Sequence, residues 1–181
     1  TNFSYPFSPA QLVPPAAGVA YGTGFVSISV LTGCGLSGQL RDLQGAFAHL
    51  QSQAAVKKGH VGAIGWCMGG RYALQLATVE PTLAAAVAYY GAPPTDAAAI
   101  AAIQAPVLGS FGAEDKGPTP EQALAFEAAM KKAGKTIDVK VYPGAGHAFA
   151  NVDNPWGGYR KEAAEDAWAR STAFLAKYLK K

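Results

Sequence analysis

Three side chains in this 181-residue chain have the types and the order that nucleophilic catalysis requires. Cys67 stands at the centre of Gly65-Trp66-Cys67-Met68-Gly69, a Gly-x-nucleophile-x-Gly pattern with cysteine where serine is usual. Asp115 and His147 follow it along the chain. A thiolate can attack a carbonyl carbon, an imidazole takes and returns protons near neutral pH, and a carboxylate fixes the imidazole tautomer. The three residues therefore predict acyl chemistry with Cys67 as nucleophile, His147 as base and Asp115 as the acid.

The sequence around Cys67 also predicts how the thiol is presented. An apolar run at 61–64 precedes it and a helix-forming segment at 71–78 follows it. A sharp strand-to-helix turn requires glycine neighbours, because Cβ atoms there would clash with the backbone. Such a turn places the sulfur at a helix N-terminus, where unpaired N–H groups and the helix dipole favour the thiolate. From the pattern alone, an inert buried thiol in a tight turn is the alternative.

The acid and the histidine each have a rival interpretation. Glu114 is adjacent to Asp115, and we favour Asp115 because it lies one residue further from the preceding strand, on the loop. Asp115 could also serve only to cap that turn. His147 could be a loop histidine bonded to backbone, but its neighbours Gly144 and Gly146 suit a loop bent into a cleft.

Apolar runs and helical periodicity alternate along the chain. Strands are predicted over 24–31, 61–66, 84–90, 106–111 and 137–142, and helices over 37–55, 71–78, 97–103, 120–133 and 159–179. This alternation predicts an α/β protein, a three-layer α/β/α sandwich with a mostly parallel sheet. The three candidate side chains each follow a different strand, and functional groups gather at the carboxyl ends of such strands.

Further patterns predict how individual helices begin, end and pack. A capping box at 119–122 with Pro120 at the first helical position predicts a helix start, and Gly134 predicts its end. Apolar spacing predicts the buried faces of two helices: Leu40, Leu43, Phe47 and Leu50 in one, and Ala164, Trp168, Leu175 and Tyr178 in the last.

Composition and charge limit the classes of function. The net charge is +3, and its lysines and arginines form no basic stripe, so we expect no nucleic-acid partner. The apolar runs are too short or too interrupted to predict a membrane span.

We expect one domain over 1–181, with 1–20 as an extended arm, and neither metal nor cofactor. Cys34 and Cys67 have no zinc-site spacing, and the absence of a signal peptide predicts a cytoplasmic protein.

The chain resembles the dienelactone hydrolase family of α/β-hydrolases. The resemblance covers roughly residues 38–180 and rests on VGAIGWCMGGRYALQLA, AAAVAYYG, PVLGSFGAEDKGPTP, VKVYPGAGHAFAN and the closing helix, in that order. It implies an α/β-hydrolase fold with a reduced sheet, with Cys67 as nucleophile, Asp115 as acid and His147 as base. It also implies that the Met68 N–H is one donor to the oxyanion.

The chain departs from the family pattern at its N-terminal end. Family members carry further strands there, and one of them leads to a loop with a second oxyanion donor and a glutamate that engages the resting cysteine. No glutamate precedes Glu80 here, so the chain resembles a member whose front is truncated or rebuilt. The loop 32–35 after the first predicted strand would supply the missing donor, at Gly33. A sheet edge left open would be covered by a second copy of the chain, in a homodimer.

A second departure concerns the substrate. The family's arginine four residues after the histidine, which binds the substrate carboxylate, is replaced by Asn151. A neutral amide cannot supply that charge-assisted bond. We therefore expect a small neutral ester or lactone as substrate and an acyl-thioester intermediate; a non-catalytic binding protein and an acyltransferase are the alternatives. Aromatic residues could form an apolar pocket wall or belong to the core: Trp66, Tyr90, Phe149 and Trp156.

Overall fold

The computed structural model describes residues 25–26, 36–154 and 157–180. Strands and helices alternate through this part of the chain, as the sequence predicts. The strands are β1 (Phe25–Val26), β2 (Gly62–Trp66), β3 (Ala85–Tyr89), β4 (Val107–Gly112) and β5 (Ile137–Tyr142). The helices are α1 (Leu36–Ser52), α2 (Met68–Val79), α3 (Ala97–Ala102), α4 (Pro120–Lys132) and α5 (Lys161–Leu179).

The five described strands form one sheet in the order β1-β2-β3-β4-β5, and all neighbouring pairs are parallel. Trp66 at the end of β2 pairs with Tyr89 at the end of β3, so these strands end level with each other. Parallel strands joined by helices place all their carboxyl ends at one edge of the sheet. The loops after β2, β4 and β5 therefore meet at that edge.

Helices cover both faces of the sheet, and the sheet separates two hydrophobic cores. Alternate residues of β3 enter opposite cores: Ala86 and Ala88 pack with α1 to α4, while Val87 and Tyr89 pack with α5. This division follows from the two-residue period of a strand, which sends successive side chains to opposite faces. The predicted three-layer α/β/α sandwich is confirmed.

Several local predictions are also confirmed. Leu43 and Phe47 of α1 are buried in the core, and Leu40 and Leu50 pack against it. At the start of α4, the Gln122 N–H donates to the Thr119 hydroxyl (3.3 Å) and the Thr119 N–H donates to the Gln122 side-chain oxygen (2.9 Å). This reciprocal pair is the capping box.

The prediction for the inner face of α5 is correct for Leu175 and Tyr178 and wrong for Ala164 and Trp168. Leu175 is buried and Tyr178 packs against the core, whereas the other buried residues of the helix are Ala167, Ser171 and Leu179. Ser171 lies on the inner face, where its hydroxyl is 2.8 Å from that of Tyr89. Trp168 is displaced to the side of the helix, where its ring stacks 6.5 Å from that of Trp66.

Three element boundaries differ in ways that matter for the site. Helix α2 begins at Met68 rather than at residue 71, directly after Cys67. Helix α5 begins at Lys161 rather than at 159. Only Phe25–Val26 of the first predicted strand belongs to a described strand. Gly33, Cys34 and Trp156, together with the arm at 1–20, lie outside the described residues.

Candidate active site

Cys67 occupies a one-residue turn between β2 and α2. Its backbone has φ 54° and ψ −120°, a conformation that costs energy for a residue with a Cβ atom. The Cys67 N–H donates to the Tyr89 carbonyl at 2.9 Å, and the Cys67 carbonyl accepts from Arg71 N–H at 3.2 Å. Both hydrogen bonds fix the strained residue, so the thiol is held exposed at the N-terminus of α2.

The glycines around this turn are only partly explained by the sequence prediction. A Cβ on Gly65 would lie 2.1 Å from the Gly69 carbonyl oxygen, which confirms that residue 65 must be glycine. A Cβ on Gly69 would meet nothing within 4 Å, so the same prediction is wrong there. The second close approach is instead between Gly70 and Gly91, where a Cβ on Gly91 would lie 2.5 Å from the Gly70 carbonyl carbon. Helix α2 crosses the end of β3 at this contact.

The three predicted side chains lie in one hydrogen-bonded line. His147 Nε2 is 3.1 Å from Cys67 Sγ, and His147 Nδ1 is 2.9 Å from Asp115 Oδ2. The second oxygen of Asp115 accepts from Gly117 N–H at 2.9 Å. Asp115 is 4% exposed and holds Nδ1 of the imidazole, whereas the side chain of Glu114 is exposed to solvent. The structure therefore brings Asp115, and not the rival carboxylate, to His147.

The line of contacts changes the protonation of its members. Hydrogen bonding to His147 lowers the pKa of Cys67 below its ordinary value of 9.0, against the opposing effect of burial. The hydrogen bond to Cys67, followed by that to Asp115, raises the pKa of His147 from 6.5 to about 9. The Met68 backbone N–H also lowers the pKa of Cys67 by hydrogen bonding to sulfur. Both shifts favour a thiolate–imidazolium pair over the neutral thiol and imidazole.

Two of the candidate pocket aromatics lie beneath the imidazole rather than around an open cavity. The Tyr90 ring meets the His147 ring edge-on, with centroids 5.3 Å apart, and Tyr90 is 3% exposed. Phe149 packs edge-on against Tyr90 and is fully buried. Both residues belong to the core on the α5 side of the sheet, which was the alternative left open by the sequence.

Other predicted site residues lie at the surface. Trp66 and Met68, on either side of Cys67, are 37% and 44% exposed, and the Trp66 ring stacks on Tyr89 at 5.3 Å. Asn151 is partly exposed, and its Oδ1 accepts from the Asp153 N–H at 3.0 Å. A hollow of about 290 Å³ lies beside the imidazole, lined by Glu114, Gly146, His147, Gly157, Gly158 and Arg160.

Two residues that the sequence analysis did not single out hold the loop of His147. Arg160 donates from Nε to the Gly144 carbonyl at 2.8 Å and from Nη1 to the Gly157 carbonyl at 3.2 Å. Asn154 donates to the carbonyl of His147 itself. Asparagine and glycine in this stretch are typical of an ordinary turn. No pattern in the sequence distinguishes these contacts from turn formation.

Metal binding and membrane spanning find no support in the described residues. No group of three or more His, Cys, Asp or Glu side chains is arranged there to hold a metal ion. None of the helices in that part of the chain combines the length and the apolar character that crossing a bilayer requires.

The topology and the site define a class of protein. The consecutive parallel strands are those of the α/β-hydrolase fold, and Cys67 on its strained strand-to-helix turn, Asp115 and His147 stand where that fold carries its nucleophile, acid and histidine. A crystal structure described as "Putative Dienelactone Hydrolase" from Klebsiella pneumoniae has this fold. It superposes with a TM-score of 0.69 at 31% identity, covering 78% of this chain and 62% of that one.

Residues 35–179 match the model of the dienelactone hydrolase family, and the chain belongs to that family. A protein of Saccharolobus solfataricus named "Putative carboxymethylenebutenolidase" is 40% identical over 141 residues, covering 78% of this chain and 52% of that protein. A Bradyrhizobium protein named "Probable 2-oxo-3-(5-oxofuran-2-ylidene)propanoate lactonase" is 31% identical over 150 residues, covering 77% and 59%. The chain thus spans little more than half the length of these relatives.

Proposed function

We propose that the protein hydrolyses small carboxylic esters or lactones through an acyl-thioester on Cys67. The observation that supports this most directly is the continuous line from Cys67 Sγ through the imidazole to the Asp115 carboxylate, with contacts of 3.1 and 2.9 Å. Membership of the dienelactone hydrolase family and the names of the relatives support the same class of substrate.

Acylation begins with the thiolate. Cys67 Sγ attacks the carbonyl carbon of the substrate, and the carbonyl electrons move to the oxygen. The Met68 N–H, at the first residue of α2, stabilises the resulting oxyanion. We assign the second donor to the Gly33 N–H, as the sequence suggests. When the oxyanion collapses, the carbon–oxygen bond to the leaving group breaks, and the leaving alkoxide takes the proton from His147 Nε2.

Deacylation reverses the roles of the imidazole. Neutral His147 now removes a proton from a water molecule, whose oxygen attacks the thioester carbonyl. The carbon–sulfur bond breaks, the carboxylic acid leaves and the Cys67 thiolate is restored beside the imidazolium. Asp115, buried and held by Gly117 N–H, stabilises the positive imidazole in both steps and fixes its tautomer.

The surroundings of the thiol favour small neutral substrates. Asn151 stands where family members have a carboxylate-binding arginine, and its side-chain oxygen is engaged with its own turn. The exposed ring of Trp66 offers an apolar wall next to Cys67, while Tyr90 and Phe149 support the imidazole from the core. A neutral acyl group of modest size therefore fits this surface better than an anion.

The test compares the two cysteines of the chain. Cys67→Ala should remove hydrolysis of p-nitrophenyl acetate, because no nucleophile remains beside His147. Cys34→Ala, which removes the other thiol, should keep it. The measurement is the initial rate of nitrophenolate release, with far-UV circular dichroism as the check on folding. Unchanged hydrolysis in a folded Cys67→Ala variant would refute the proposed function.

A further inference from the structure

We propose that Asn154 is a positioning residue for His147: its side-chain amide orients the peptide that carries the imidazole and so aligns the imidazole with the Cys67 sulfur. Asn154 Nδ2 donates to the His147 carbonyl at 3.0 Å and to the Ala148 carbonyl at 3.2 Å. Asn154 is 8% exposed, so these bonds lie in a largely water-free setting. One amide therefore holds two consecutive carbonyls of the catalytic loop.

The loop needs such a support because it is strained next to the imidazole. Ala148 has φ 56°, a left-handed conformation that alanine adopts only when its surroundings enforce it. Holding the carbonyls of His147 and Ala148 toward the same amide keeps both peptide planes in this arrangement. Without the amide, the Ala148 carbonyl would keep its bond from the Asn151 N–H at 2.9 Å, but the His147 carbonyl would lose the Asn154 donor, and the peptide plane between His147 and Ala148 would no longer be fixed by it. The His147 backbone, and the imidazole with it, would then rotate away from the line of contacts.

The contacts on either side of this segment do not replace the amide. Before it, the Ala145 carbonyl accepts from the Glu114 N–H at 2.9 Å. After it, the Phe149 carbonyl accepts from the Arg160 N–H at 2.9 Å. These bonds fix the ends of the loop, whereas the amide of Asn154 acts on the carbonyl of His147 itself. Its effect is therefore specific to the peptide that bears the imidazole.

Gly158 leaves the space that the Asn154 amide needs to reach the His147 carbonyl. A Cβ at this position would lie 2.6 Å from Asn154 Nδ2 and 3.1 Å from the His147 carbonyl oxygen. The Asn154 amide, when it is bonded to the His147 carbonyl, thus occupies the space that a side chain at residue 158 would fill. Gly158→Ala should displace that amide without changing any residue of the nucleophile, acid or base, and should reproduce the effect of removing it.

The inference rests on the proposed function for its effect on turnover, but its test does not need a substrate. Iodoacetamide alkylation of Cys67, followed by mass spectrometry of the Cys67 peptide, reports directly on the thiolate that His147 maintains. An unassisted thiol with a pKa of 9.0 is about 1% ionised at pH 7. Misalignment of the imidazole should therefore slow alkylation at pH 7, by up to about 100-fold.

Three variants and one control make the test. Asn154→Leu removes both N–H donors at similar size, Gly158→Ala displaces the amide, and the double variant combines them. Gly146→Ala is the matched control, because a Cβ there meets nothing within 4 Å although residue 146 adjoins His147. Each protein is first shown to be folded by urea denaturation, and alkylation is then measured from pH 5 to 10.

We expect both single variants to lose the neutral-pH reactivity and to alkylate with a midpoint moved upward toward that of an ordinary thiol. The double variant should lose no more than either single variant, since both changes remove the same contact. Gly146→Ala should keep the wild-type profile. A folded Asn154→Leu variant with wild-type rate and midpoint would overturn the proposal, as would failure of both single variants to fold, which would make the amide a support of the fold. If wild type alkylates as expected but hydrolyses no ester, the proposed function fails while this inference stands.

Discussion

Backbone strain is concentrated on residues that touch the candidate catalytic groups. In the part of the chain that the structure describes, the non-glycine residues with positive φ are Cys67 (54°), Tyr90 (39°) and Ala148 (56°). The first carries the thiol, the second packs its ring against His147 and the third follows His147 in the chain. Such conformations persist only where the surroundings impose them, and they gather at functional sites. Residue-level strain thus marks the same place as the hydrogen-bonded line.

At this scale the choice between two adjacent carboxylates can be tested. Asp115→Asn keeps the size of the side chain but presents a neutral amide to Nδ1, which no longer stabilises the imidazolium or enforces its tautomer. We expect kcat for ester hydrolysis to fall by about 10²- to 10⁴-fold, by analogy with the serine hydrolase triad. Glu114→Gln, one residue away on an exposed side chain, should change kcat by less than about twofold. Equal losses in the two variants would contradict the assignment.

The protonation states of Cys67 and His147 predict how the rate of Cys67 alkylation depends on pH. Because the pKa of Cys67 is lowered and that of His147 is raised to about 9, more thiolate is present at neutral pH than for an ordinary thiol, and its partner keeps its proton up to about pH 9. The midpoint of the pH profile for Cys67 alkylation should therefore lie below pH 9.0, and the rate at pH 7 should exceed that of His147→Gln. In His147→Gln the same rate should rise steadily toward pH 9. A wild-type profile that climbs in the same way would mean that the resting cysteine is a neutral thiol.

At the scale of elements, the two glycines that flank Cys67 differ in how much the turn between β2 and α2 requires them. A Cβ on Gly65 would overlap the backbone at Gly69, whereas a Cβ on Gly69 meets open space at the beginning of α2. Overpacking against backbone costs about 1–3 kcal/mol or more, and replacing glycine by alanine in a helix stabilises it by about 0.5–1 kcal/mol. The two substitutions should therefore change stability in opposite directions.

The corresponding measurement is urea denaturation of two single variants. Gly65→Ala should lower the free energy of unfolding by at least about 2 kcal/mol and impair alkylation of Cys67, because the turn must open to admit the methyl group. Gly69→Ala should be neutral or slightly stabilising. If Gly69→Ala were the more damaging of the two, the geometry described for the turn would be incorrect.

Elements also show what could be predicted from sequence and what could not. Strand β5 has the predicted bounds, 137–142, because its apolar and polar residues alternate cleanly, and the α4 capping box forms because both partners lie within one turn. On the buried face of α5, Leu175 and Tyr178 were predicted correctly, but Ala167 and Ser171, and not Trp168, complete it, because Ser171 meets Tyr89 in the core. The hold of Asn154 on His147 could not be predicted, because it joins two turns whose relative position depends on the folded loop.

The whole molecule explains why residues so far apart in sequence can act together. The parallel order of β2 to β5 brings the loops after residues 66, 112 and 142 to one edge of the sheet, and helices on both faces hold these strands in place. The sequence predicted this convergence, because the alternation of strands and helices fixes where the carboxyl ends lie. The pocket was less predictable: Tyr90 and Phe149 lie in the core, and Gly33 lies outside the described residues. The homodimer and the cytoplasmic location stay predictions.

Trapping the intermediate shows whether Cys67 carries the acyl group. The protein is mixed with p-nitrophenyl acetate, quenched in acid within the first turnovers, digested and examined by mass spectrometry. We expect one acetyl group on the peptide that contains Cys67, removable by neutral hydroxylamine as a thioester is. Ester hydrolysis without any acetylated Cys67, or with the acetyl group on another residue, would refute the role proposed for Cys67.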